Sequence, residues 1–265
     1  MSEGALAGRW AALRAGGRAA LIPYVTAGFP DADATRTVLR GAGAAGADIV
    51  ELGVPWSDPV ADGPVIQAST HAALAGGTTL AAVLGLLEEA RPQVPVVLFS
   101  YLNPILTFGA RRFAVAARDA GAAGVLVTDL PVGADAAVEA DLRSSGLPLV
   151  RLVAPTCTPA RVREVAAASE GFVYVIARTG VTGTATAPGD ELPALVAAVR
   201  AATRLPVAVG FGIASAAQAA RVARLADGVV VGSAIVERMR TGGATAALEW
   251  LRELRAALDG ARASA

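Results

Sequence analysis

The sequence predicts an α/β chain: a single (β/α)8 TIM barrel over 1–265 with an extra N-terminal helix. Short apolar runs alternate with Ala/Leu/Arg-rich segments of helical character, as strand–helix modules require. The phrases GADIVELG (46–53), GAAGVLVTDL (121–130) and LADGVVVGSA (225–234) each set a small residue and Gly or Asp before an apolar run, a weak repeat of one module. A length of 265 residues suits such a barrel, which runs to about 250 residues as one unit.

The segment before Leu21 reads as the extra helix, capping the barrel's bottom. Strand candidates follow at 21–26, 49–53, 96–101, 125–129, 149–153, 172–176, 207–209 and 228–231. Helix-like stretches lie around 33–45, 78–90, 110–120, 134–145, 159–169, 191–203, 215–224 and 243–258. A helix after every strand implies parallel pairing, because a two-residue turn cannot join parallel neighbours. Runs such as VLVTD and DGVVVG are apolar on both sides, as strands buried on both faces are. Eight modules favour a closed barrel over an open doubly wound sheet, and no linker divides the chain.

Composition narrows the class of function. The 23 basic and 23 acidic residues balance, with no long run of either sign, which argues against nucleic acid or an anionic membrane as main partner. No stretch reaches the roughly 18 apolar residues of a membrane helix, and Arg9, Arg14 and Arg18 interrupt the first apolar segment, unlike a signal peptide. A single cysteine, Cys157, precludes an internal disulfide and suits a cytoplasmic setting. All 23 basic residues are arginine, so no lysine is present to form a Schiff base with a carbonyl substrate.

Chemistry is expected at Glu51 and Asp62. Glu51 ends the run ADIVELG (47–53), and a carboxylate at a strand's tip is costly to bury unless paired. By period two, Ile49, Glu51 and Gly53 share one face; if Val50 and Leu52 meet the helices, Glu51 points into the barrel mouth. The plainer alternative is a solvated acid paired with an arginine. Asp62 follows in the loop VPWSDPVADGP, where Asp before Gly is also ordinary turn chemistry, and Asp58 before Pro59 is a weaker candidate.

Late glycines form a second constellation: RTGVTGT (178–184), GFGIAS (210–215) and GSA (232–234), each after a strand. Barrels build anion cradles from such loops and helix N-termini, and Ser233 adds a hydroxyl. His71 and Cys157 each stand alone, so no metal site is expected, and His71 reads as a surface or packing residue. No GxSxG elbow, no Walker loop and no lone GxGxxG before a helix appears. Carboxylates, the tyrosines Tyr24, Tyr101 and Tyr174, and backbone donors remain, which suits acid–base work on a phosphorylated small molecule.

The motifs LIPYVTAGFPD (21–31), VELGVPWSDPVADGPVIQ (50–67), YLNP (101–104), VTDLP (127–131), ARTGVTG (177–183), GFGI (210–213) and GSAIV (232–236) closely resemble the tryptophan synthase alpha subunit family, in the family's order over nearly the whole chain. The resemblance implies reversible aldol cleavage of indole-3-glycerol phosphate to indole and glyceraldehyde 3-phosphate. It implies Glu51 as general acid–base and Asp62 as the second catalytic carboxylate. It implies an indole slot at Tyr24, Phe99, Leu126, Thr128, Leu152 and Phe211, with Tyr174 orienting the glycerol moiety. It places phosphate at Gly183, Gly212, Gly232 and Ser233.

No cofactor is implied in this chain. Pyridoxal phosphate is expected only in a partner beta subunit, within an α2β2 complex. Trp56 and Tyr24 stand where the family usually has Phe, which bears on pocket shape. A stand-alone lyase releasing free indole, a phosphate-binding barrel of other chemistry and a non-catalytic scaffold remain as alternatives. The glycine- and threonine-rich segment 177–189 is expected to close as a lid, with Thr182 reaching Asp62.

Overall fold

The computed structural model describes residues 2–177, 191–210 and 212–263. Eight parallel strands close a barrel in chain order, the last pairing with the first. They are β1 (Ala20–Thr26), β2 (Val50–Gly53), β3 (Val96–Ser100), β4 (Gly124–Val127), β5 (Leu149–Val153), β6 (Val173–Ile176), β7 (Val207–Gly210) and β8 (Gly228–Val231). All eight strand candidates form, because their apolar runs are covered on both faces: six strands are buried throughout, and β5 and β6 are each half-buried at one residue, Leu152 and Ile176.

Outside the barrel lie α1 (Ser2–Ala15), α2 (Ala32–Gly41), α3 (Pro64–Ala75), α4 (Leu80–Ala90), α5 (Leu102–Phe108), α6 (Ala110–Asp119), α7 (Ala136–Arg143), α8 (Pro159–Ala168), α9 (Leu192–Ala202), α10 (Ala216–Ala223) and α11 (Ser233–Ala263). Side-chain caps start several of them: Asp31 accepts from Ala34 N, Thr79 from Ala82 N and Thr158 from Arg161 N. Three stretches differ from expectation. Helices α3 and α5 form where none is predicted, and α11 begins ten residues before 243, with a break at Gly243 (φ 68°).

Helix α1 closes the barrel's bottom, as the sequence suggests. Trp10 packs on Phe172 with ring centroids 5.6 Å apart, and Leu6 is fully buried. A Cβ on Gly228, the first residue of β8, would lie 2.9 Å from the Trp10 ring, so the glycine there admits α1. The acids of the repeat have a matching role. Asp48, ahead of β2, accepts the Leu21 N–H of β1 at 2.8 Å, and Asp227, ahead of β8, accepts the Val207 N–H of β7 at 2.9 Å. Each satisfies a strand-start donor that the ladder leaves open. Buried Asp48 also binds Arg9 of α1 and Arg255 of α11, which ties both ends of the chain to the barrel floor.

Candidate active site

The strands' C-terminal ends open into a cavity of about 410 Å³, within the usual range for a small-molecule site. Tyr24 (β1), Glu51 (β2), Phe99 (β3), Tyr174 (β6) and Val230 (β8) face it, with Asp62, Gly63 and Ile66 on one side and Gly212, Ile213, Ala214, Gly232 and Ser233 on another. Tyr24 and Glu51 are cross-strand neighbours, and Tyr24 meets Phe99 edge-on at 5.3 Å. The last residues of β2 and β7 must be glycine here. A Cβ on Gly53 would lie 2.1 Å from the Tyr24 hydroxyl, and one on Gly210 would lie 2.0 Å from that of Tyr174.

Glu51 is only 1% exposed, and its Oε1 has no hydrogen-bond partner among the described residues. Among the described residues no arginine pairs with the acid. Burial raises its pKa from 4.5 to about 8. Asp62 is buried as well, and burial raises it from 3.8 to about 6, opposed by a hydrogen bond from Tyr101. The Tyr101 hydroxyl donates to Asp62 Oδ2 at 3.0 Å and accepts the Ala61 N–H at 2.9 Å. Gln67 Nε2 donates to the Asp62 carbonyl at 2.9 Å, so the first turn of α3 also holds the loop. His71 bonds the Ser57 carbonyl at 3.1 Å on the exposed side, a packing role as read from sequence.

Near pH 7 these environments separate the two acids into a protonated Glu51 and an ionised Asp62. One group can deliver a proton while the other accepts a hydrogen bond and balances positive charge.

Opposite them, Gly212 (φ 79°) follows β7, while Gly232 and Ser233 follow β8 at the start of α11. The Ile235 N–H closes the first turn on the Gly232 carbonyl at 2.8 Å. The N-terminal dipole and backbone N–H groups of such a turn favour an anion.

The cavity thus brings together Glu51, Asp62, Tyr24, Phe99, Tyr174, Gly212, Gly232 and Ser233 from the sequence-derived set. Leu126, Thr128 and Leu152 are not among its described lining residues: Leu126 is fully buried on β4, Leu152 is half-buried, and Thr128 donates to the Ser100 carbonyl at 3.3 Å. Thr182, Gly183, Phe211 and the proposed lid beyond residue 177 lie outside the described residues. Tyr101, Gln67 and Arg238 were not singled out as site residues. A polar residue just past a strand's C-terminal end was the available signal for Tyr101.

The family model "Tryptophan synthase alpha chain" matches residues 10–259. The tryptophan synthase alpha chain of Thioalkalivibrio sulfidiphilus is 48% identical over 263 residues, covering 96% of this chain and 99% of its own. That of Granulibacter bethesdensis is 45% identical, with 97% of each chain covered. Among solved structures, Mycobacterium tuberculosis tryptophan synthase superposes with a TM-score of 0.88 at 38% identity, covering 96% of this chain and 97% of the other. The tryptophan synthase subunit alpha of Legionella pneumophila gives 0.87 at 34% identity, covering 96% and 98%. The match runs through every module of the barrel, and the chain belongs to the tryptophan synthase alpha chain family.

Proposed function

We propose that the chain is the lyase subunit of tryptophan biosynthesis that cleaves indole-3-glycerol phosphate reversibly to indole and glyceraldehyde 3-phosphate. The observation that carries this reading is two buried carboxylates of different acidity facing a glycine- and Ser233-lined turn across one cavity.

Glu51 delivers its proton to indole C3, which leaves a cationic iminium at C2=N1. Asp62 accepts the indole N–H bond and offsets that charge. The Glu51 carboxylate then takes the hydroxyl proton of the adjacent glycerol carbon. The C–C bond breaks, its electron pair forms C2=C3 while the C2=N1 pair returns to N1, and the hydroxyl carbon becomes the aldehyde. Glu51 ends protonated, so one carboxyl serves both transfers with no outside proton. Burial suits it to this, since a group titrating near 8 gives and regains a proton at neutral pH at small cost. Tyr24 and Phe99 line the indole slot, Tyr174 orients the glycerol chain, and Gly212, Gly232 and Ser233 hold the phosphate. The chain itself needs no cofactor for these steps.

A pyridoxal-phosphate beta subunit is the proposed partner, in a cytoplasmic α2β2 assembly. Val60 is 78% exposed in the loop after β2 and Leu106 48% exposed on α5 after β3. Both stand on the face into which the cavity opens, where a docking partner would cover them. Indole release from indole-3-glycerol phosphate by the purified chain tests the reaction, and acceleration by added beta subunit tests the partner. No indole with or without the partner would refute the lyase reading, and a rate indifferent to saturating partner would refute the assembly.

A further inference from the structure

The first turns of α11 carry the cavity wall beyond Ser233 to Ala234, Glu237 and Arg238. Arg238 stands four residues after Ala234, one turn on along the same helix face. Among the described lining residues it is the one cation, against the carboxyl groups of Glu51, Asp62 and Glu237. A phosphomonoester entering such a cavity meets acids on its walls, so a cation at the rim decides the local sign of the potential.

The side chain is free for that work. Arg238 is exposed, and no described carboxylate pairs with it, whereas Glu237 is held by Arg240 at 2.6 Å. The Arg238 guanidinium lies 4.8 Å from the ring centroid of Trp250, which is itself buried. Stacking on a fixed ring keeps the guanidinium ordered, so less rotamer freedom is lost when it grips an anion. Helical side chains lean toward the helix N-terminus, and from Arg238 that direction leads back to Ser233.

We infer that Arg238 is a specificity-determining residue, a cation on α11 that recruits and grips the phosphate of the substrate beside Gly212, Gly232 and Ser233. The inference rests on the proposed phosphate role of those three residues. A purely structural arginine on Trp250 would affect melting but not the recognition of phosphate.

Titration of glycerol 3-phosphate by calorimetry, at low and high salt, separates the two. The wild-type chain should bind it. Arg238→Gln should raise Kd roughly threefold to tenfold at low salt, with a shallower salt dependence. Arg238→Lys should recover part of the affinity, because charge without the planar fork remains. With indole-3-glycerol phosphate the loss should fall on KM rather than kcat. An unchanged Kd and unchanged salt slope in Arg238→Gln, beside normal wild-type binding, would overturn the assignment. No binding to the wild-type chain would instead sink the phosphate cradle, and this inference with it.

Discussion

The Tyr101 hydroxyl donates to Asp62 Oδ2 at 3.0 Å while accepting the Ala61 N–H at 2.9 Å. One side chain just past β3 thus orients both the carboxylate and the backbone before it. It also opposes burial, holding the acidity of Asp62 nearer the ordinary range.

Tyr101→Phe should therefore raise the Asp62 pKa above about 6 and shift the acid limb of the rate profile upward. The rate at pH 7 should fall, by about tenfold for a bond to a charged group. Proton-dependent rates between pH 5 and 8 check this. An unmoved limb with a lowered plateau would mean that Tyr101 only packs the loop.

The wild-type kcat/KM should be bell-shaped, rising through about 6 as Asp62 ionises and falling through about 8 as Glu51 loses its proton. The substrate phosphate also titrates near 6, so the falling limb is the diagnostic one. A rate still climbing at high pH would require Glu51 to enter the reaction ionised.

Ser233→Asp places a negative charge among Gly212, Gly232 and the N-terminus of α11. Substrate affinity should drop by at least tenfold, by analogy with like-charge contacts worth several kcal/mol. A phosphate-free indole analogue should lose much less. Equal losses for both, measured by titration, would contradict a phosphate role there.

Burial of Glu51 has a sign that stability can read. The folded chain holds this proton to about 8 and the unfolded chain to about 4.5. The favourable contribution is complete below the lower value and lost as pH rises through the higher one. Glu51→Gln carries no charge, so it should match the parent near pH 5 and exceed it by about 1–3 kcal/mol at pH 9 in urea unfolding. A constant difference at both pH values would show that Glu51 is not buried as a neutral acid.

Strand positions were legible because every apolar run is covered on both faces, leaving a period that composition cannot hide. Glu51 was legible for a related reason: a carboxylate in such a run has no packing use. Helix α3 was obscured by Gly63–Pro64, which reads as a turn although Pro is well tolerated at a helix's first position. The opening of α11 was hidden by Gly242–Gly243, where a local break interrupts the helix without ending it. Arg238 was missed with it. Tyr101 was visible as a residue but its tie to Asp62 was not, since it joins chain segments 39 residues apart. Leu126 and Leu152 came from resemblance and are not among the described lining residues; which side chains reach the wall depends on side-chain geometry that no strand pattern encodes.

The central claim is that Glu51 carries the proton, and the indole-release rate of Glu51→Gln tests it most directly. Gln keeps the shape and polarity of the buried site but cannot donate and regain a proton. The account predicts a correctly folded variant that still binds glycerol 3-phosphate and cleaves indole-3-glycerol phosphate roughly 10²–10⁴-fold more slowly, or not measurably. A folded Glu51→Gln variant that keeps most of the parent rate would contradict it.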